Sequence, residues 1–474
     1  MRNINRREFV IGSTALAGAA ISMPIGTERG LAQSARHLPS GYALVTSLRL
    51  PLTGIGSVEL EPIVNGSISD WSDVGCAVSV AAVAMAIDGI VPSGLTPETT
   101  VADFDELATA LDSTPGGFAV VPIDQIDFRV NTLKVDGIDP LLSSGSDEAP
   151  VVRIGAAGDI IPGRNVAAHI RQFGDYSVPL KRVKSHLAEY DFTFANFECF
   201  ISETLEFPEL QDAGALDFLT RPDFVPTMVD AGIDAVSMAN NHAVYSHAGW
   251  GLPAFNDTYN FLTNGGVPVF GAGMDLDQAR QPHVAEVNGL SIALLGVDGI
   301  TGNETWPNAL GVVAGAGSQA TASQGGTNPL NLDLVTADIE KLAGQYDIVI
   351  PFFHMSEQYF WTPQDWAVET ARRSIDAGAS CVISSHPHTI QGWEIYNGKP
   401  IFHGIGNFIY DQMFSVDTRQ GYVLELTFRG GDVIGFRVHG VEIEQFTQPR
   451  FMSQGENAAF MDRFWLSTDL QASR

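Results

Sequence analysis

Five apolar, strand-like runs in this 474-residue chain each stop on side chains able to ligate a metal, and no other feature limits the fold so tightly. Val152-Arg153-Ile154 leads to Asp159, and Phe192-Thr193-Phe194 leads to Asn196 and Glu198. Ala235-Val236 leads to Asn240-Asn241-His242, Ile348-Val349-Ile350 to His354, and Cys381-Val382-Ile383 to Ser384-Ser385-His386-Pro387-His388. One strand ending in a histidine is ordinary. Five in series predict a sheet whose strand ends converge on a metal centre, because open α/β sheets gather ligands at the carboxyl ends of strands. Apolar strands buried on both faces also hold the loops that follow them in fixed positions.

The stretches between these runs agree with an α/β layered fold in which helices cover sheet faces. From Val151 onward, helices are expected over residues 178–190, 221–231, 333–343 and 366–377, the last stopped by Gly378. Further strands are expected over 267–270 and 291–296. A closing hairpin is expected from 422–428 and 433–440 around Arg429-Gly430-Gly431-Asp432. Residues 301–329, rich in Gly, Ala, Ser, Thr and Asn, read as a long functional or mobile loop in a position to lie over the site. The tail from Gln448 carries no clear pattern.

A chain of this length exceeds one typical core. Residues 1–34 read as a targeting segment: Arg6-Arg7 precede a weakly apolar stretch, 10–23, too short for a comfortable membrane span, with a small-residue site near Ala32. This resembles a twin-arginine export signal, which carries folded proteins and suits one that acquires its metal inside the cell. It predicts a periplasmic, cell-surface or extracellular protein whose membrane contact is confined to an uncleaved N-terminal segment. The alternative is an ordinary hydrophobic N-terminus behind two basic residues. Residues 40–142 form a small α/β unit, 143–150 a polar linker (Ser-Ser-Gly-Ser-Asp-Glu-Ala-Pro), 151–445 the main domain, and 446–474 a C-terminal tail. Within the small unit, 58–71 with Val74-Gly75, Phe118-Ala119-Val120-Val121-Pro122 and Leu133-Lys134-Val135-Asp136-Gly137 resemble one lobe, half of a periplasmic phosphate-binding protein. Such receptors hold ligand between two lobes, so one lobe is expected to serve structure or docking.

Asp and Glu outnumber Lys and Arg by 55 to 26, a formal net charge of −29, which argues against a non-specific grip on nucleic acid or anionic lipid. Cys76, Cys199 and Cys381 lie far apart, make neither a zinc motif nor a disulfide framework, and read as free buried thiols. The candidate ligands are two carboxylates, an amide oxygen and three imidazoles. That mixed N/O set suits borderline divalent ions such as manganese, zinc or iron(II), and without thiolates it points to a catalytic rather than a structural site. In His386-Pro387-His388 the two imidazoles would point in opposite directions on an extended segment; both reach one centre only if the backbone turns, and Pro387 fixes part of that turn. No Gly-x-Ser-x-Gly elbow and no phosphate-binding P-loop is present.

Taken in order, Gly158-Asp159-Ile160-Ile161-Pro162-Gly163-Arg164, Asn196-Phe197-Glu198, Ala239-Asn240-Asn241-His242, His354, His386-Pro387-His388 and Gly406-Asn407-Phe408 resemble the motifs of the CapA (poly-γ-glutamate capsule synthesis) family. That family is similar in turn to the calcineurin-like metallophosphoesterases. The resemblance covers 151–442 and implies a four-layer α/β sandwich with a two-metal centre. It implies that Glu198 bridges two divalent ions (Mn, Zn or Fe), that Asp159 and His388 complete one site, and that Asn241, His354 and His386 complete the other. His242 would stand beside them as general acid or transition-state hydrogen-bond donor. Arg164 would hold an anionic substrate group or, alternatively, form a salt bridge; Asn407 would support the site or cap a strand.

The chain departs from the superfamily pattern at three places. Ile161 stands where phosphoesterases carry a metal-binding histidine, Glu198 replaces an aspartate, and Ser384-Ser385 replace Gly-His. The implied function is an exported metal-dependent hydrolase in capsule or poly-γ-glutamate synthesis or turnover. Its substrate would be an anionic polymer or phosphoester and its partners capsule-synthesis membrane proteins, with no nucleic acid. The alternative is a non-catalytic cell-surface accessory that holds an anionic polymer or phosphate in the same pocket.

Overall fold

A computed structural model describes residues 38–142, 149–208, 216–301 and 318–474. The expected export segment, residues 143–148 of the linker and residues 302–317 of the long loop lie outside them. The main domain is built on β1 (Val151–Ile160), β2 (Phe192–Phe197), β3 (Ala235–Ser237), β4 (Val269–Phe270), β5 (His283–Val287), β6 (Leu290–Asp298) and β7 (Ile348–His354). There follow β8 (Val382–Ser385), β9 (Ile390–Tyr396), β10 (Lys399–Ile405), β11 (Asn407–Ile409), β12 (Gln420–Arg429), β13 (Asp432–Glu444) and β14 (Gln448–Phe451). Its longer helices are α1 (Arg164–Phe173), α2 (Phe224–Ala231), α3 (Gly251–Asn264), α4 (Leu332–Ala343), α5 (Asp365–Asp376) and α6 (Gln454–Ala472).

The protein is α/β. One sheet has the order β4-β3-β2-β1-β12-β13-β14, with β11 also paired to β1. Strands β4 to β1 run parallel and β12 returns antiparallel. The other sheet has the order β5-β6-β7-β8-β10-β9, parallel from β6 to β10. Alternate residues of a strand face opposite sides, and here both sides are covered. Ile154, Phe194, Leu294, Ile350 and Ile383 meet in one core shared by the two sheets. On the first sheet's other face, Ala195 and Phe197 pack with Phe224 of α2 and Phe255 of α3. On the second sheet's other face, Leu295, Val349 and Val382 pack with Ile339 of α4 and Ala371 of α5. This double burial is why the runs read as continuously apolar.

Most expected elements stand where the periodicity puts them, including the closing hairpin β12–β13. Two differ. The helix expected over 178–190 is reduced to Lys184–Leu187. Before it, Asp175 folds back on Ser177 N (2.9 Å) and Pro179 contributes no N–H, so turns replace helix. The tail, patternless in sequence, holds β14 and the 19-residue α6. Phe460 and Phe464 of α6 enter the inter-sheet core, while Trp465 and Asp469 meet Arg49 of the small unit. A helix gripped from two directions shows no single apolar stripe.

The small unit has a sheet in the order Thr99–Val101, Val83–Ile87, Gly117–Pro122, Tyr42–Thr46, Asn131–Thr132. Its pleat sends Val45 and Val121 to one core and Leu44 and Val120 to another around Trp71. Ile434 of β13 enters the first of these cores, and Arg437 of β13 bonds Asp139 (2.6 Å) and the Thr132 carbonyl (3.0 Å). All three cysteines are buried and unpaired. Among the described residues, no helix is long and apolar enough to cross a membrane.

Candidate metal centre

The parallel strands bring their carboxyl ends to one level. Asp159 near the end of β1 stands in register with Asn196 of β2 and Asn407 of β11. In the second sheet Asp298, His354 and Ser385 stand abreast on β6, β7 and β8. The loops just beyond carry Glu198, Asn241, His242, His386 and His388. The structure brings all seven of Asp159, Glu198, Asn241, His242, His354, His386 and His388 together, every one buried.

The contacts form two groups that share Glu198. Asp159, Glu198 and His388 each offer a ligand atom within 4.8 Å of the others, and His388 Nδ1 is 3.2 Å from Asp159 Oδ2. On the other side, His354 Nε2 lies 2.8 Å from Asn241 Oδ1, 3.0 Å from His386 Nδ1 and 3.8 Å from Glu198 Oε1. Two imidazole nitrogens, an amide oxygen and a carboxylate oxygen thus aim lone pairs at one region. His242 Nε2 lies 3.9 Å from Glu198 Oε1, about as near as His354 Nε2.

This polarity is poorly compensated by the protein. Asp159 Oδ2, Glu198 Oε1 and His242 Nδ1 are buried without a hydrogen-bond partner, a state that costs free energy unless a ligand supplies the missing interaction. Burial, and next the charge of Asp159, push the Glu198 carboxyl well above its ordinary range. Burial and the neighbouring imidazoles hold His354 and His386 well below theirs, and burial, then His388, lowers His242 to about 3. Two carboxylates beside neutral imidazoles make a donor set that fits divalent cations, which would complete the orphaned atoms.

The backbone is bent to achieve this. His386 and His388 have φ of +99° and +55° on either side of Pro387, the turn needed to bring both imidazoles to one centre. Such conformations are costly for non-glycine residues and recur where function over-determines them. Gly158 allows a second close approach: a Cβ there would lie 1.9 Å from the Gly406 carbonyl, so β1 and the turn before β11 meet only because that side chain is absent. Ile161 is fully buried in the helix-covered core of the first sheet.

Arg164 does not present an open guanidinium. Its side chain is largely buried, bonds Asp411 through Nε (3.1 Å) and Nη2, and lies over Phe218 and Tyr410. It forms the salt bridge that was one of the two readings of the sequence, buried rather than at the surface. Asp411 also accepts from Asn165 N (3.0 Å) and Nδ2 (2.8 Å), tying the start of α1 to the segment after β11. Asn196 matters more than its place in the sequence suggests. Its Nδ2 donates to Asp159 Oδ1 (2.8 Å) and Glu198 Oε2 (3.1 Å) and faces His354 Nδ1 (3.3 Å), while Asn240 Nδ2 donates to its Oδ1 (3.0 Å). Asn407 supports the site: its Oδ1 is 2.9 Å from His388 Nδ1, and its Nδ2 donates to the Thr418 carbonyl (2.9 Å).

The family described as "Bacterial capsule synthesis protein PGA_cap" matches residues 153–412. A Bacillus subtilis (strain 168) protein, "PGA biosynthesis protein CapA", is 26% identical over 65% of this chain and 75% of its own length. "Capsule biosynthesis protein CapA" of Bacillus anthracis is 27% identical over 54% of this chain and 59% of its own. A Mycobacterium tuberculosis protein named "Probable polyglutamine synthesis accessory protein" is 24% identical over 59% of this chain and 72% of its own. Among solved structures, a hypothetical protein from Thermus thermophilus aligns over 61% of this chain and 99% of its own, with 13% identity and a TM-score of 0.37.

Proposed function

This chain belongs to the bacterial capsule synthesis family PGA_cap, and from that premise we propose that it is an exported, metal-dependent phosphoester hydrolase acting in capsule or poly-γ-glutamate synthesis or turnover. The observation that carries the hydrolase reading is the pair of buried carboxylate oxygens without a hydrogen-bond partner, Asp159 Oδ2 and Glu198 Oε1, beside the imidazoles of His354, His386 and His388. Glu198 would be shared by two divalent ions, one completed by Asp159 and His388, the other by Asn241, His354 and His386. Ions so held supply Lewis acidity to a phosphoryl oxygen and a water of lowered pKa. Two sheets with a common core and helices on their other faces support the four-layer metallophosphoesterase sandwich.

The chain's own residues do the positioning. Asn196 orients Asp159 and Glu198 from behind, and Asn407 fixes the His388 ring. In hydrolysis the oxygen of water bonds to phosphorus, the bond from phosphorus to the ester oxygen breaks, and the leaving alcohol takes a proton. His242, a neutral imidazole whose Nε2 faces Glu198 at 3.9 Å, would donate a hydrogen bond from that nitrogen to the leaving oxygen. The receptor-like small unit, joined to β13 through Arg437, would serve docking to the membrane proteins of polymer synthesis. Export follows the twin-arginine reading of residues 1–34.

The test is ion content and turnover of the purified chain supplied with manganese or zinc. Two ions per chain and ion-stimulated hydrolysis of p-nitrophenyl phosphate are expected. Less than one ion per chain, with no stimulated turnover, sinks the hydrolase. The accessory reading, which the name of the mycobacterial relative favours, would then stand.

A further inference from the structure

The amides behind the ligand cluster have fixed orientations, and together they leave one ring nitrogen, His354 Nδ1, without a proton donor among them. Asn240 is oriented by the backbone: its Oδ1 accepts from His242 N (3.1 Å) and its Nδ2 donates to the Phe197 carbonyl (2.9 Å). The same Nδ2 donates to Asn196 Oδ1 (3.0 Å), which turns Asn196 Nδ2 toward Asp159 Oδ1 (2.8 Å) and Glu198 Oε2 (3.1 Å). An amide nitrogen carries two protons, and both are spent on these carboxylates. Asn196 Nδ2 also lies 3.3 Å from His354 Nδ1, but it has no third proton to give and no lone pair with which to accept.

His354 Nδ1 therefore depends on Ser385, whose Oγ lies 3.1 Å away. The register of the second sheet makes the pair, since β7 and β8 run parallel with His354 opposite Ser385. Both residues are buried, so bulk water does not stand in for this contact. A serine hydroxyl, unlike the amide beside it, can either donate or accept.

The opposite edge of the ring faces acceptors: His354 Nε2 lies 2.8 Å from Asn241 Oδ1 and 3.0 Å from His386 Nδ1. A neutral imidazole has one proton to place, and the bond made by one nitrogen decides the state of the other. Without a cation, the proton belongs on Nε2, between those acceptors, and the Ser385 hydroxyl donates to the Nδ1 lone pair. With a cation, Nε2 must offer its lone pair, so the proton belongs on Nδ1 and the acceptor within reach is Ser385 Oγ. The ring stays neutral throughout: Nε2 loses one proton, Nδ1 gains one, and the hydroxyl turns from donor to acceptor. Building on the two-ion reading above, we infer that Ser385 is a positioning residue that satisfies either tautomer of His354, so that the Asn241–His354–His386 site fills without stranding a buried N–H.

The experiment titrates the full chain, carrying isotope-labelled histidine, with zinc. The His354 ring nitrogens are read by long-range proton–nitrogen NMR and assigned by their absence in His354→Gln, while calorimetry follows zinc affinity. The proton is expected on Nε2 in the metal-free chain and on Nδ1 in the zinc-loaded chain. Ser385→Ala should bind one zinc ion as the parent does and the other about ten- to hundredfold more weakly, and Ser385→Thr, which keeps the hydroxyl, should recover most of that loss. The same tautomer with and without zinc, parental affinity for both ions in Ser385→Ala, or a Ser385→Thr variant no better than Ser385→Ala would each overturn the inference. Zinc uptake with the tautomer change but without hydrolysis of p-nitrophenyl phosphate would sink the hydrolase reading and leave the role of Ser385 standing. A parent that takes up no zinc would overturn both.

Discussion

At the strand ends, Asp159 and Glu198 lie fully buried beside imidazoles, each with a partnerless oxygen. In the seam between the small unit and the main domain, Arg437 lies almost as deep, yet it is set between Asp139 (2.6 Å) and Glu425 (2.7 Å), and His439 takes the other oxygen of Glu425 (2.9 Å). There, among the described residues, Arg437 Nε and Thr132 Oγ1 lack a hydrogen-bond partner, but no carboxylate oxygen does. The two clusters have opposite electrostatics. Burial drives Glu198 well above the usual carboxylate range. For Glu425 burial pushes the same way, but the His439 hydrogen bond and the charges of His439 and Arg437 outweigh it and hold the carboxyl well below. A buried charge that the protein neutralises itself joins two parts of the fold; one left over is unfinished until a ligand arrives.

That contrast can be broken most directly at Glu198. Glu198→Gln should lower metal-stimulated turnover by about 10³-fold or more, while the metal-free variant unfolds no more easily than the parent because an uncompensated acid has been removed. A metal-free variant clearly less stable in urea would show that the protein itself satisfies this group. Next in size, Arg437→Met should cost about 3–5 kcal/mol of unfolding free energy by stranding Asp139 and Glu425, with ion content unchanged. A loss within about 0.5 kcal/mol would place the seam among ordinary surface contacts. His242→Asn should reduce turnover by about 10²-fold with both ions retained; loss of ions would make His242 a ligand instead.

The smallest effect sharpens the comparison through pH. A carboxyl raised on folding stabilises below its unfolded value and loses that contribution as pH climbs above about 4.3 toward its folded value. The depressed Glu425 does the reverse: its contribution is full above about pH 4.3 and is lost as pH falls through its folded value. Urea unfolding of the metal-free chain between acid and neutral pH should therefore lose its high-pH decline in Glu198→Gln and its low-pH decline in Glu425→Gln. Each slope is at most about 1.4 kcal/mol per pH unit. Interchanged slopes would reverse the assignment of the two clusters.

Much of this site was legible before the fold. The runs before Asn241, His354 and His386 are apolar on both alternating positions, and those before Asp159 and Glu198 are broken only by Arg153 and Thr193; strands of that kind lie between two packed layers, so their ends had to share a level. Asn196 was harder to value, because an amide that bonds Asp159 and Glu198 and faces His354 is indistinguishable in sequence from any polar residue closing a strand. Arg164 could not be decided between an anion contact and a salt bridge from sequence, because its partner, Asp411, is 247 residues away. Helix α6 escaped notice for a similar reason: Phe460 and Phe464 enter the inter-sheet core while Asp469 pairs with Arg49 of the small unit, contacts with residues far away in the chain.

The amino-acid sequence alone determined which residues carry ligand atoms, that they follow apolar strands, and in what order they come, because period and residue type are local properties. Only the tertiary structure decided which atoms face one another: that Glu198 lies between the His388 and His354 groups, and that Arg164 is neutralised by Asp411. Those outcomes depend on strand order, on the left-handed turns at His386 and His388, and on contacts between residues far apart in the chain. Geometry of that kind is set by how layers pack, which no local pattern encodes.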